Sequence, residues 1–523
     1  MTDSRPLYTL SATEALAGFA DQSLTSEALV QAMIDRADRF EPMVASLTER
    51  FIEGSLERAR EADQARARGE SWGPLHGLPI TIKESIEIAG SACTLGLPSR
   101  VNTFATRDAA IVQALREAGA IVIARTNVSQ LMLSFECRNP VFGQCQNPRK
   151  LTHAPGGSSG GEAAAIAYGA SMLGVGTDIG GSIRLPAHFS GVAGFKPTQD
   201  RWPNLGLATS LPGQEGIRSQ CGPLARTVAD LTLAFRALDP MRLNALDSRV
   251  GPLPWRDPAE ISLDKMRIGV IHTDGIIDPS PALSRALHRA GEALVASGCE
   301  LVDFAIPEPR ETLREYFATL SADGAETARR ALGDAPIDVT LKGLLFASKI
   351  PAHLRKTLVR AAKMAGQDLT ALVLDGLGER SVHDLWKLVA KLRKRRAVIE
   401  DMMQTQRISA LIMPPFATPA VPHTFGAQFA QAASYTMFWN LTHFPAGVLP
   451  VTTVVESDLT RPPSRDVVVR RAIAVDQASV GLPVGVQVIA PAWHDERVLA
   501  LMSAIENYTR NDPGRPSPVV DPA

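Results

Sequence analysis

Residues 156–162 read Gly156-Gly157-Ser158-Ser159-Gly160-Gly161-Glu162, and residues 176–187 read Gly176-Thr177-Asp178-Ile179-Gly180-Gly181-Ser182-Ile183-Arg184-Leu185-Pro186-Ala187. The window from Gly156 to Gly194 holds 11 glycines where the chain-wide frequency would place about three, so the backbone here meets constraints beyond ordinary turns. Glycine amides opening a helix bind anions well. A phosphate cradle nevertheless fits poorly, because no G-x-x-x-x-G-K-[ST] occurs and Gly174-x-Gly176-x-x-Ile179 lacks the third glycine of a dinucleotide loop. Gly157-x-Ser159-x-Gly161 has the form of a nucleophile elbow, which needs a strand directly before it and an acid and a histidine downstream. The preceding Lys150-Leu151-Thr152-His153-Ala154-Pro155 is not strand-like, and nothing singles out one of the ten histidines.

Outward from these loops, Leu78, Ile80 and Ile82 alternate with Pro79, Thr81 and Lys83. That period of two predicts a strand with Lys83 on the face away from the isoleucines. Ala109 to Ala118 reads as a helix closed by Gly119, followed by a strand over Ile121 to Ala124. Strand, helix, strand predicts an α/β fold. Residues 12–70 read as two or three helices, Pro252 to Pro258 as a linker, Ile268 to Ile271 as a strand and Pro281 to Gly298 as a helix. Residues 300–410 read as mainly helical. Strands over 411–413, 447–455 and 484–489 and a last helix over 495–508 complete the chain, without internal repeats.

Ser182 follows Ser158 by 24 residues, with Glu162 to Tyr168 as a helix between them. Joined to Lys83 in Gly77-Leu78-Pro79-Ile80-Thr81-Ile82-Lys83 and to Gly194-Phe195-Lys196-Pro197-Thr198, this set resembles the amidase signature family. The resemblance implies a large mixed β-sheet core surrounded by helices, built as one domain over 1–523, with a signature core at 70–240 and a helical cap or insertion at 300–410. It implies a Ser-Ser-Lys triad: Ser182 as nucleophile, Ser158 as bridging serine preceded by a cis peptide, and Lys83 as base. The amides of Ile179, Gly180, Gly181 and Ser182 would form the oxyanion hole, with Asp178 and Arg184 bracing the loop and Ser159 supporting the network. Amide hydrolysis requires such a set: a nucleophile, a proton acceptor, a proton donor for the departing nitrogen, and donors for the tetrahedral oxyanion. A lysine serves as base near neutral pH only if burial lowers its pKa from about 10.4. No metal or cofactor is expected, since Glu162, Asp178 and His188 lack a ligand spacing and the chemistry needs none.

Within the family, the chain resembles the fatty-acid amide hydrolases through Ser129-Gln130-Leu131-Met132-Leu133-Ser134-Phe135-Glu136-Cys137, Asn139 to Gln144, Ser434-Tyr435-Thr436 leading to Asn440, Phe444 to Thr453 and Val480 to Gln487. By position Met132, Leu133 and Phe135 would line an acyl pocket. The expected substrate is a hydrophobic amide, or a related carbamate or ester. An amidotransferase subunit and a non-catalytic lipid-binding protein on the same fold stand as alternatives. Lys83 is followed by Glu84-Ser85 where many amidases have Asp-Asn, so family knowledge of those two positions does not transfer.

Lys plus Arg total 54 against 55 Asp plus Glu, a net charge of −1, which argues against nucleic acid as partner. Five scattered cysteines suit a reducing cytoplasm, and neither a signal peptide nor the spanning helix of the mammalian enzymes is read here. Residues 339–367 carry Lys342, Lys349, Arg355, Lys356, Arg360 and Lys363 and no Asp or Glu, interleaved with Leu344, Leu345, Phe346, Ile350, Leu354, Leu358 and Val359. This predicts either a peripheral membrane contact or a packed helical pair with a solvated basic face. Arg393 to Arg396 is expected to be a solvated helix face. A second copy of the chain is the candidate protein partner.

Overall fold

The computed structural model describes residues 5–426 and 429–523. Every residue of strand Pro79–Lys83 is buried, and the strand pairs in parallel with both Ile121–Thr126 and Leu173–Asp178. Burial on both faces is the condition under which β-branched runs such as Ile80-Thr81-Ile82 and Ile121-Val122-Ile123 hold a central strand. Among the described residues these belong to one sheet of eleven strands. Across it the order is Leu47–Arg50, Ile121–Thr126, Pro79–Lys83, Leu173–Asp178, Gln220–Ala225, Ala193–Lys196, Ala446–Thr453, Pro483–Ile489, Ala410–Met413, Arg267–Val270 and Glu300–Asp303. Parallel and antiparallel pairs mix, as in Leu173–Asp178 against Gln220–Ala225, which run antiparallel. The fold is thus α/β, a large mixed sheet surrounded by helices.

Helix Gly160–Tyr168 is buried at every position. Its Ala-rich surface lets it lie close across the strands Pro79–Lys83, Ile121–Thr126 and Leu173–Asp178. A Cβ on Gly161 would stand 2.3 Å from the Asn127 backbone nitrogen, so the contact admits glycine alone.

The helices expected over 12–70 are Ala12–Ala20, Ser26–Val44 and Ile52–Ala67, but between them runs an edge strand, Leu47–Arg50, absent from the sequence expectation. All four of its residues are only half-buried, which blurs any period of two. After the strand Glu300–Asp303, the stretch to 410 holds Pro309–Leu320, Glu326–Leu332, Val339–Ser348, Ala352–Met364, Asp368–Gly376 and Val382–Thr405. Two charge expectations need correction here. Arg355 is buried and donates to the Ile350 carbonyl, so it leaves the basic face of 339–367. Arg395 is no solvated residue: it reaches Glu308 at 2.7 Å and also Glu315, itself buried on helix Pro309–Leu320. Two acidic side chains across the helix pair outcompete water for its guanidinium. Among the described residues no helix is long and apolar enough to cross a membrane.

Candidate active site

Three chain segments converge at the ends of the central strands. Lys83 closes strand Pro79–Lys83, Ser158 and Ser159 lead into helix Gly160–Tyr168, and Thr177 and Asp178 close strand Leu173–Asp178, with Ser182 in the loop that follows. The Ser159 amide donates to the Ser182 carbonyl at 3.1 Å, joining the two loops. Lys83 Nζ donates to Ser158 Oγ at 2.7 Å and to Thr177 Oγ1 at 2.8 Å. The Gly157–Ser158 peptide is cis. Ser159 Oγ accepts from the Thr177 amide at 3.3 Å, which fixes the residue whose hydroxyl holds the lysine.

Lys83 is wholly enclosed, and this burial pushes its pKa down to about 7, an effect that nearby acidic groups only partly offset. Thr81, on the same strand face, donates to Glu162 Oε1, and Thr126 Oγ1 donates to Glu162 Oε2 at 2.7 Å. Burial raises the Glu162 pKa to about 7 despite these bonds. Sequence reasoning assigned no role to Thr81, Thr126 or Thr177; buried hydroxyls beside a charged site are seen only once the strands are in register.

Asp178 and Arg184 form an ion pair at 2.9 Å with neither side chain exposed. Burial opposes ionisation of Asp178, but Arg184, with Asn440 and backbone amides, holds its carboxyl well below the usual range. Arg184 also donates to the Thr436 carbonyl at 2.9 Å, to Gln487 Oε1 at 2.7 Å and to Asn440 Oδ1 at 2.6 Å.

The loop between Asp178 and Ser182 has each carbonyl tied. Asn440 Nδ2 donates to Asp178 O at 3.2 Å, Tyr316 Oη to Ile179 O at 3.1 Å, Thr436 Oγ1 to Gly180 O at 2.8 Å, and the Leu185 amide to Gly181 O at 2.7 Å. In a trans peptide the N–H points opposite the C=O, so these bonds aim the amides of residues 179–182. Those of Ile179, Gly180 and Ser182 donate to no protein group among the described residues, and these three residues line a cavity of about 470 Å³. Gly181 departs from the expected set of oxyanion donors: its amide donates to Asp178 Oδ1 at 2.8 Å, because the carboxylate held by Arg184 lies on that side of the loop. A Cβ on Gly180 would fall 2.3 Å from Tyr316 Oη, so a side chain at this position would displace the tyrosine hydroxyl from its bond to the Ile179 carbonyl. Tyr316 lies 137 residues from Ile179, and nothing local in the sequence marks it.

Besides these loop residues the cavity is lined by Met132, Leu133 and Phe135 and by Leu344, Leu345 and Leu374 of the helical stretch. The structure therefore brings Lys83, Ser158 and Thr177 into direct contact, and sets Ser182 in the lining of a largely apolar chamber.

The amidase family model matches residues 28–499. Fatty-acid amide hydrolase 1 of Sus scrofa is 36% identical over 466 residues, covering 87% of this chain and 79% of that protein. The acetamidase of Aspergillus oryzae is 30% identical over 513 residues, covering 94% of this chain and 88% of that protein. A solved fatty acid amide hydrolase superposes with a TM-score of 0.84 at 28% identity, covering 97% of this chain and 86% of that one. On this match of sequence and fold, the chain belongs to the amidase family and is an amide hydrolase of the amidase-signature type, similar to the fatty-acid amide hydrolases.

Proposed function

We propose that this enzyme cleaves hydrophobic amides, and carbamates of similar shape, through an acyl-enzyme on Ser182, with Ser158 and Lys83 as the proton relay. The observation that carries this is the 2.7 Å contact of Ser158 Oγ with an enclosed lysine whose pKa is about 7. Neutral Lys83 takes the Ser158 proton as Ser158 takes that of Ser182, and Ser182 Oγ bonds to the carbonyl carbon. The amides of Ile179, Gly180 and Ser182 receive the oxyanion. As the intermediate collapses, the C–N bond breaks and the proton returns through Ser158 to the departing nitrogen. Water then repeats the sequence to release the acid. The apolar walls favour an acyl or aryl substrate over glutamine. Hydrolysis of a panel of amides of rising acyl length should show kcat/KM increasing with chain length; a preference for acetamide or glutamine would contradict the substrate class.

Tyr316 acts as a positioning residue through the Ile179 carbonyl. Tyr316→Phe should lower kcat by about tenfold, less than the 10²–10³ typical of losing a direct oxyanion donor, and leave KM nearly unchanged. An equal loss confined to KM would assign Tyr316 to substrate packing.

The helices Val339–Ser348 and Ala352–Met364 present Phe346 at 73% and Met364 at 84% exposure, with Leu354 and Leu358 also exposed. The exposed cations Lys342, Lys349, Lys356, Arg360 and Lys363 surround them, and Leu344 of the same stretch lines the cavity. This arrangement supports a cap that rests on an anionic lipid surface, each cation contributing about 1 kcal/mol. Replacing Lys349, Lys356, Arg360 and Lys363 with glutamine should reduce co-sedimentation with phosphatidylserine-containing vesicles at least about tenfold, and salt should have the same effect on the parent. Salt-insensitive recovery of both proteins in the vesicle-free fraction would contradict it.

A further inference from the structure

Helix Gly160–Tyr168 is Ala-rich and buried at every position, yet its third residue is Glu162. The side chain is fully enclosed, and taking a charge out of water is costly unless something compensates it. Part of the compensation is local. Thr81 donates to Oε1 and Thr126 Oγ1 donates to Oε2 at 2.7 Å, and the first turn of a helix favours negative charge. A Cβ on Gly174 would collide with Oε1, so the neighbouring strand carries no side chain where the oxygen sits. Hydroxyls and a helix end are dipoles, however, and neither is a cation.

The strand register shows which cation faces this carboxyl. Lys83 and Thr126 pair across the parallel strands Pro79–Lys83 and Ile121–Thr126, and residues paired in this way point to the same face. Thr81, two residues before Lys83, shares that face. Glu162 is thus tethered to the two side chains that stand beside Lys83, one about 7 Å along the strand and one about 5 Å across it. Lys83 Nζ directs its hydrogen bonds to Ser158 and Thr177, so the two groups act on each other through space, in an interior where such forces exceed those in water.

Burial lowers the Lys83 pKa, while Cys137, Asp178, Glu162 and Glu84 face the lysine and oppose that fall. Three of these have other engagements. Cys137 is a thiol packed on Gly160, Asp178 is matched by Arg184 at 2.9 Å, and the Glu84 carboxyl accepts the Thr94 amide and, at 3.2 Å, that of Leu95. Among the described residues, the charge that acts on Glu162 in return is that of Lys83.

We propose that Glu162 is a positioning residue for catalysis: its carboxylate, held by Thr81 and Thr126, is the counter-charge that stabilises Lys83 in the protonated form it takes on during each attack. This rests on Lys83 being the base. As Lys83 takes the Ser158 proton, the site gains a lysinium facing a carboxylate. As the proton returns through Ser158 to the departing nitrogen, Lys83 becomes neutral again. Glu162 exchanges no proton in this cycle and touches no substrate; it makes the lysine a stronger base than burial alone would leave it.

The test is the pH dependence of fluorophosphonate labelling of Ser182 in Glu162→Gln, which keeps the shape of the side chain and removes its charge. The acid limb should move to lower pH by about half a unit or more, and the plateau rate should fall about three- to tenfold, because a less basic lysine accepts the proton less readily. Thr126→Val removes one of the two hydroxyls that favour the ionised carboxyl and should move the limb the same way by less. In the Lys83→Met background, Glu162→Gln should change the residual rate by less than about twofold. A limb that stays in place in Glu162→Gln, or in Thr126→Val should Glu162→Gln fail to fold, would overturn the proposal. So would an equal loss of rate from Glu162→Gln in the parent and in Lys83→Met, the mark of a purely structural role. A limb that survives Lys83→Met would instead refute the assignment of the base.

Discussion

Ser182→Ala is expected to lower kcat for any amide by about 10⁴-fold or more, because it removes the atom that forms the acyl-enzyme while leaving the binding walls in place. The remaining rate is what the oxyanion donors and the chamber supply without a covalent step. Folding should be almost unaffected. Ser182 is half-buried at the chamber's edge, and its carbonyl, which holds the Ser159 amide, is kept by alanine, so the stability change should stay within about 0.5 kcal/mol. Steady-state hydrolysis and thermal unfolding of the same preparation check both halves. Activity within tenfold of the parent in a folded Ser182→Ala protein would place the nucleophile elsewhere.

Lys83→Met is the second large effect. Methionine keeps an apolar stem one atom shorter than lysine's but accepts no proton, so kcat/KM should fall by about 10²–10⁴-fold, the usual worth of a positioned general base. The substitution leaves Ser158 Oγ and Thr177 Oγ1 without their shared partner, a cost of about 1–3 kcal/mol in a buried site. In the parent, the Lys83 pKa is lowered to about 7, and the neutral form is the active one. Below pH 7 the lysine is protonated and kcat/KM should drop about tenfold per unit; above pH 7 it should level off. The limb should vanish in Lys83→Met. If it persists unchanged, another enclosed group carries it, and Glu162, whose pKa is also raised to about 7 by burial, is the first to examine.

What could be seen in the sequence divides along a physical line. The face that Lys83 takes could be read from the period of two over Leu78 to Lys83, while the roles of Lys83, Ser158 and Ser182 followed from the resemblance of their motifs to the amidase signature family. The partners of the serine loops could not be read. Tyr316 belongs to a helix that meets Ile179 across 137 residues, and its residue type and periodicity are those of any buried aromatic. Thr436 and Asn440 stand in a stretch whose resemblance to the family was legible, but their bonds to the Gly180 and Asp178 carbonyls depend on how helix Ser434–Leu441 is seated. The same holds for Gly181, whose neighbours suggested a donor to substrate and whose amide goes instead to Asp178. Among the charges, Arg355 and Arg395 read as solvated in sequence because charge runs usually are; tertiary contacts with Ile350 and with Glu308 and Glu315 turned them inward.

The central claim is that Ser182 is a nucleophile activated through Ser158 by an enclosed neutral lysine, and a fluorophosphonate reports that property directly, since it reacts with an activated serine hydroxyl. Intact-mass measurement with peptide mapping, at matched protein and probe concentration, should find one adduct per chain, located on Ser182 and absent from Ser182→Ala. Its rate should rise through pH 7 in the parent and be slowed by orders of magnitude, without that rise, in Lys83→Met. Labelling at another residue, or labelling of Ser182 at the same rate in parent and Lys83→Met, would contradict it.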